Sequence, residues 1–470
     1  MVQLIRSAFQ QFLQQSKISI FPASGLVVVA AWIVVCLVSR NPDTDTLPVF
    51  LACALIITVC SGLVVWKKHL SGQRIAFKWI LLTALLLRLI SLVGEPLFED
   101  DYYRYMWDGY QTATTQDPYT VAPGYYFDQD VPEIFEPVLS LINYPDVATV
   151  YGPVTQWVFA IGYYISAAEV WPLQLMALIA DLLVLCLLYK LGAGNALLLY
   201  AWSPLILKEF SLTAHPDIYA ILLMLISVFF AYKRLAVLAG ITIGLAFGSK
   251  VFAILVIPYL VTSGWLLKQW VTFSAALIAT LAGITLWYGS IGIWIPEGLQ
   301  AMADDWLFNA PLYTLLLNRL DFTFIKLMLA SVFIVFVLCA FCRRLFYRPL
   351  SKFQLSDKTT PDTSWQLSAG AFRGDWLYAL FLLSIPALNP WYVTWILPFA
   401  VLFPRWWSWT ASYAVLLSYW WGGYIGATGF DSQRVSPTVM AIEYSIAIII
   451  PLLAMMLNWY QLKRREGTVA

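Results

Sequence analysis

Three consecutive carboxylates, Glu99, Asp100 and Asp101, open the most chemically suggestive stretch of the chain. Aromatic residues at 102, 103, 105 and 107 follow, with Arg104 and Asp108 between and after them. A carboxylate cluster of this kind can supply a general base for an acceptor hydroxyl, or it can bind a cation. The same residues also suit a solvated loop with an acidic helix start. Residues 101–114 read as an amphipathic helix lying on a membrane surface. On such a helix Asp101 and Arg104 are three apart, and Arg104 and Asp108 four apart, so both pairs can meet on one face.

These residues must be carried by a membrane protein. Of the 470 residues, 61% are hydrophobic and 12% charged, where a soluble domain has about 25% charged. That balance excludes a water-soluble globular protein and a disordered chain. The net charge of +1 leaves no basic field for nucleic acid. The six cysteines sit almost entirely in apolar runs and show no paired or metal-type spacing, so they read as small core residues.

Residues 21–39 are long enough for a helix across a hydrocarbon core about 30 Å thick. They follow Arg6 and Lys17 with no cleavage site behind them, which reads as an uncleaved anchor. Further apolar runs lie near 47–66, 75–94, 153–168, 172–190, 194–210, 217–232, 235–249, 251–267, 270–291, 326–347, 375–390, 391–404, 406–424 and 437–460. The expected fold is an all-α polytopic membrane protein with roughly 12–14 transmembrane helices. Its expected parts are an N-terminal bundle 1–347, a polar cytoplasmic linker 348–374 and a C-terminal transmembrane segment 375–470.

Lys and Arg set the orientation. Basic clusters near 67–78, 233–234, 343–348 and 463–465 belong on the cytoplasmic side. Segment 95–150 holds eleven acids against Arg104 alone, and belongs outside. The parity closes only if an early run, most simply 153–168 or its junction with 172–190, does not span.

Several other places carry candidate chemistry. His215-Pro216-Asp217 falls between two apolar runs; each polar side chain there reads either as structural or as functional at a membrane edge. Gly248-Ser249-Lys250 puts a lysine on the outer side, as a phosphate partner or a snorkelling anchor. Trp391 and Tyr392 read as a sugar- or lipid-packing pair or as a membrane belt. A second long segment, 292–325, has room for an acceptor and carries no motif.

The run Glu99-Asp100-Asp101-Tyr102-Tyr103-Arg104-Tyr105-Met106-Trp107-Asp108-Gly109 resembles the first external loop of GT-C type integral membrane glycosyltransferases, bacterial mannosyltransferase-like. Asp117-Pro118-Tyr119, Ala122-Pro123 and Tyr151-Gly152-Pro153 continue the likeness. Asp117 replaces the usual Asn and Gly152 the usual Pro. The short segments at 213–217, 248–258 and 389–398 also resemble family patterns.

The resemblance implies a transferase that moves a sugar from a polyprenyl-phosphate carrier to a lipid, glycan or protein acceptor outside the cytoplasm, in a bacterial inner membrane. It implies a catalytic acid at Asp100 or Asp101. Asp101 is favoured, because it directly precedes the aromatic run and aligns with the second Asp of the pattern. Candidate substrate-binding residues are Glu99, Arg104, Tyr105, Trp107, Asp108, Tyr119, Tyr151, His215, Asp217, Lys250, Trp391 and Tyr392. The family class includes metal-dependent and metal-independent members, so a divalent metal stays open. A transporter or flippase of lipid-linked sugars, or a glycan polymerase or ligase, is the alternative. Most of the unusual charge lies in one outer loop, which favours surface chemistry over transport.

Overall fold

The computed structural model describes residues 20–41, 45–115, 117–262, 269–290, 307–346, 374–404, 406–420 and 435–466. The residues described are helical and turn segments, with no β-strand among them. The helices of nine residues or more are α1 (Ile20–Ser39), α2 (Thr46–Leu70), α3 (Phe77–Ser91), α4 (Asp101–Thr114), α5 (Pro153–Ile165), α6 (Trp171–Lys190), α7 (Asp217–Tyr232), α8 (Ala236–Ser249), α9 (Trp270–Ser290), α10 (Phe322–Phe346), α11 (Gly374–Ser384), α12 (Trp406–Ala414) and α13 (Pro437–Glu466).

Among the described residues five helices are long and apolar enough to cross a membrane: α1, α2, α6, α9 and the Phe322–Cys342 part of α10. A sixth arises if the bent pair Leu197–Leu212 and α7 is one span; its two arms differ by 114°. The other apolar runs form shorter pieces. Pro204 and the Ser203 cap break the 194–210 run into short helices that end in a π-helix, Leu207–Leu212. The 391–404 run becomes a 3₁₀ turn, Pro390–Trp395, and a short helix, Leu397–Leu402, each with a proline in its first two positions. The expectation of 12–14 spans counted apolar composition, whereas backbone breaks decide which runs stay long. Helix α5 has 13 residues, about 20 Å at 1.5 Å per residue. That is too short for the hydrocarbon core, in keeping with a non-spanning run at 153–168.

The expected linker, 348–374, lies outside the described residues except for Gly374, and so do 292–306. A single apolar cluster joins α1–α3, α6, α7 and α8 to Leu377, Tyr378 and Leu382 of α11 and to the 390–402 turn. A separate aromatic cluster ties the acidic segment to α5: Tyr105, Trp107, Phe135, Val138, Leu139 and Phe159, with Ala214 from the bend. Large apolar side chains such as Leu26, Leu286 and Val332 stay exposed on the outside of the bundle, as a lipid-facing surface requires. All six cysteines are free.

Small residues let backbones approach where the site is assembled. Gly240, Gly244 and Gly248 recur every fourth residue along α8. A Cβ on them would fall 2.4, 2.8 and 2.6 Å from Phe273 O, Thr280 and Ile284 of α9. Gly152 brings the chain entering α5 onto the end of α8, where a Cβ would lie 2.1 Å from Gly248 O. Thr155 Oγ1 and Ser249 Oγ close the same contact at 2.8 Å.

Gly152→Ala should therefore destabilise the folded protein by about 1–3 kcal/mol, the usual cost of overpacking. Gly194→Ala, which meets nothing within 4 Å, should leave the melting temperature near that of the wild type. Thermal melts of both variants in the same detergent would separate a close-approach glycine from an idle one.

Candidate active site

Helix α4 forms over the range that the amphipathic pattern predicts, and it begins at Asp101. Just before it, Phe98 sits in the left-handed region at φ 65°. The Asn143 side-chain amide reaches both following acids, donating to Asp100 Oδ1 at 2.6 Å and to Asp101 Oδ1 at 2.7 Å. Burial raises the pKa of both. For Asp100, the charge on Asp101 adds to burial and the value reaches about 6. For Asp101, Asn143, Lys250 and Arg104 oppose the effect of burial without cancelling it.

A cavity of about 890 Å³ opens in front of Asp101, within the size range of small-ligand sites. Its polar wall carries Asp101, Arg104, Asn143, Tyr151, His215, Lys250, Trp391 and Tyr392. Its apolar wall runs between α8, α9, α10 and α11 through Phe252, Leu281, Ile284, Ala330, Phe333, Ile334 and Phe381. Residues from positions 101 to 392 thus share one chamber.

Both cations near Asp101 are held from behind. Arg104 Nε donates to Asp108 Oδ1 at 2.8 Å. Asp108 is itself gripped by Thr149 and by Gln156 Nε2, the latter at 2.9 Å. Lys250 Nζ donates to Asp217 Oδ2 at 2.6 Å, and Trp395 Nε1 donates to the other oxygen at 2.6 Å. Lys250 also stands over the Tyr392 ring, 4.7 Å from its centroid.

Not every candidate lies on the wall. Asp108 and Asp217 are buried behind Arg104 and Lys250, because each carboxylate is used up in orienting a cation. Trp107 is buried among Tyr110, Tyr126 and Phe135 in the aromatic cluster. Tyr119 donates to Tyr151 O at 2.8 Å and packs edge-on against Trp287 and Tyr288. Tyr105 is fully buried, and its hydroxyl meets His215 Nδ1 at 2.8 Å. Asp100 stands next to the cavity but is not among its lining residues.

Glu99 belongs to a different constellation, much of which sequence reasoning passed over. Its carboxylate pairs with Lys208 and with His215 Nε2. Lys208 Nζ also donates to Glu209 Oε2 at 3.1 Å and to the Tyr419 hydroxyl at 2.6 Å. Tyr419 in turn donates to Glu209 Oε1 at 2.7 Å. The π-helix turns the adjacent Lys208 and Glu209 into the same buried spot, and His215 N closes the bend on Glu209 O at 2.8 Å. Two charges at the end of an apolar run were the available signal. Glu99, Glu209 and His215 each offer a ligand atom within 4.8 Å of the others.

Residues 17–266, over half of the chain, match the family described as alpha-(1->6)-mannopyranosyltransferase, N-terminal domain. The chain belongs to that family. It is thereby a glycosyltransferase of the membrane, and the matched residues include Asp101, Arg104, His215 and Lys250. No curated protein and no solved structure matches it.

The raised Asp100 pKa makes a thermodynamic prediction. The folded protein keeps this proton up to about pH 6, while the unfolded chain loses it near the ordinary value of 3.8. Between those values the native state binds more protons, so this group's contribution to stability falls as pH rises. The melting temperature of Asp100→Asn minus that of the wild type should climb from about pH 4 to about pH 6, then level off. A difference that stays flat over that range would remove the basis for a shifted Asp100.

Proposed function

We propose that the protein transfers a mannosyl residue from a polyprenyl-phosphate carrier to an extracytoplasmic acceptor hydroxyl, with inversion at the sugar carbon. The observation that carries this reading is the makeup of the cavity wall. Among the described residues Asp101 is the only acid lining it, Arg104 and Lys250 line it too, and side chains of α9 and α10 make its apolar part. A phosphate-linked sugar needs cations at the phosphate, and its prenyl tail needs an apolar path.

In the proposed reaction Asp101 takes the proton of the acceptor hydroxyl as that oxygen attacks the anomeric carbon. The bond from that carbon to the carrier phosphate oxygen breaks, and the carrier phosphate leaves with the electron pair beside Arg104 and Lys250. A single displacement inverts the configuration, so a β-linked donor gives an α-linked product. The raised pKa of Asp101 makes it a stronger base than an ordinary carboxylate. Tyr151, Trp391 and Tyr392 offer ring faces and edges to the sugar. The acid-rich segment 95–150 and the basic clusters near 67–78 and 233–234 support an extracytoplasmic position for this chamber. Transport of a lipid-linked sugar is the second reading, and the paired state of Lys250 and Arg104 within one chamber favours chemistry over passage.

The test is transfer from a polyprenyl-phosphate mannose by purified protein in micelles, read as release of carrier phosphate. Asp101→Asn should lower turnover about 10²–10⁴-fold with the donor KM little changed, because the amide keeps the shape and loses the proton acceptor. Lys250→Met should chiefly raise the donor KM. The wild-type rate should fall on the acid side with an apparent pKa above the ordinary carboxylate value of 3.8. Near-wild-type turnover in folded Asp101→Asn would overturn the base assignment.

A further inference from the structure

The cluster behind the cavity wall has the ligand set of a divalent-metal site. Two carboxylates and an imidazole, all buried, bring donor atoms within 4.8 Å of one another. Carboxylate oxygens and neutral imidazole suit several divalent ions. The position such an ion would take is already held by a charge of this chain. Lys208 Nζ contacts Glu99 and Glu209 together, donates to Tyr419 at 2.6 Å and lies 4.3 Å from the Tyr419 ring centroid. An ammonium and a divalent ion cannot share that point. The residues present therefore do not fit a metal while Lys208 stands there.

We propose that Lys208 is the built-in cation of this carboxylate–histidine site, and that through it Lys208 positions the wall of the donor cavity. The mechanical path is short. Lys208 fixes Glu99, and Glu99 accepts from His215 Nε2. With its proton on Nε2, the imidazole accepts the Tyr105 hydroxyl at Nδ1. The imidazole ring stacks on Trp391, 4.2 Å between centroids and 21° between planes. His215 and Trp391 are on the cavity wall, and Tyr105 stands one helical turn after Asp101 on α4. One ammonium thus sets both a stacking surface and the rotation of the helix that carries the base.

The cation half of this inference stands apart from the chemistry; the positioning half rests on the mannosyl-transfer reading. Removing Lys208 leaves two buried carboxylates with no cation, and a space that a divalent ion can enter. Lys208→Ala protein should take up one Co²⁺ per chain, with a visible ligand-field band that disappears in Lys208→Ala/His215→Ala. Wild-type protein should take up none through His215, and its transfer rate should not change with chelator. Transfer by Lys208→Ala should fall about 10–100-fold, the usual scale for losing a group that orients a site. The loss should appear in donor KM as well as kcat, be partly restored by Co²⁺, and be smaller in Lys208→Arg.

A Lys208→Ala chain that unfolds in chelator and folds in Co²⁺ supports the inference by the same logic. One that is unfolded in both overturns it. So does a wild-type chain that binds Co²⁺ through His215, or a folded Lys208→Ala chain that binds none. If the wild type binds no Co²⁺ and Lys208→Ala does, but neither transfers mannose, the cation inference survives and the mannosyl-transfer reading falls.

Discussion

Two carboxylates side by side in an apolar bundle need either a cation between them or the loss of a charge. An unpaired buried ion costs far more than a fold can spare. Glu99 and Glu209 meet that constraint through Lys208, and the partners come from distant parts of the chain: 99, 208–209, 215 and 419. Satisfying them fixes where the chain bends. Both Lys208 and Glu209 are buried on the π-helix, and past the 114° bend that follows it His215 meets Glu99 of the acidic segment. The strained-looking backbone at Ala214, with φ 56°, sits at the turn where this geometry is set.

A second buried ion pair steadies the platform beneath the bend. Arg88 of α3 donates to Asp181 of α6 at 2.7 Å, and Tyr200 donates to the other oxygen of Asp181 at 2.7 Å. Arg88 also donates to the carbonyl of Ala201 at 2.7 Å. That carbonyl ends the short Leu197–Ala201 helix and has no intrahelical partner. One guanidinium therefore joins two long helices and caps the segment that leads into the π-helix. Breaking such a pair from one side leaves a lone buried charge, so platform and bend are coupled through electrostatics as well as packing. Glu443 of α13 is managed differently, by two hydrogen bonds from the Asn309 amide.

Much of this was legible in the sequence, for identifiable reasons. Long apolar runs announce helices, and the stretch at 101–114 announced an amphipathic one, because periodic burial writes itself into residue order. The Asp101–Arg104–Lys250 grouping, with Trp391 and Tyr392, was reached through short motifs and charge asymmetry. What stayed hidden depends on backbone irregularity. Lys208 and Glu209 fall at the end of the apolar run 194–210, and a π-helix has no sequence signature of its own that would single them out. Asp108 and Asp217 looked like wall residues, since sequence shows which charges are near the site but not which of two paired charges faces inward. The same limit hides which charges pair within the bundle, as Arg88 of α3 and Asp181 of α6 do.

The arrangement of paired charges bears on how the chamber would favour reaction over binding. In the proposed reaction a phosphodiester-linked donor would carry one negative charge at its phosphate, and the departing carrier phosphate would gain more as the bond to the sugar breaks. Arg104 and Lys250 approach the cavity with their neutralising partners, Asp108 and Asp217, buried behind them. Those carboxylates offset part of the cationic field before any ligand enters, which weakens the grip on the ground-state donor. They hold the cations rigid all the same, so little reorganisation is needed when charge builds up on the leaving oxygen. Interactions that strengthen along the reaction raise turnover, whereas equal binding of substrate and transition state does not. In the proposed reaction, a wall of tethered cations beside Asp101 is therefore better matched to a departing phosphate than to a resting donor.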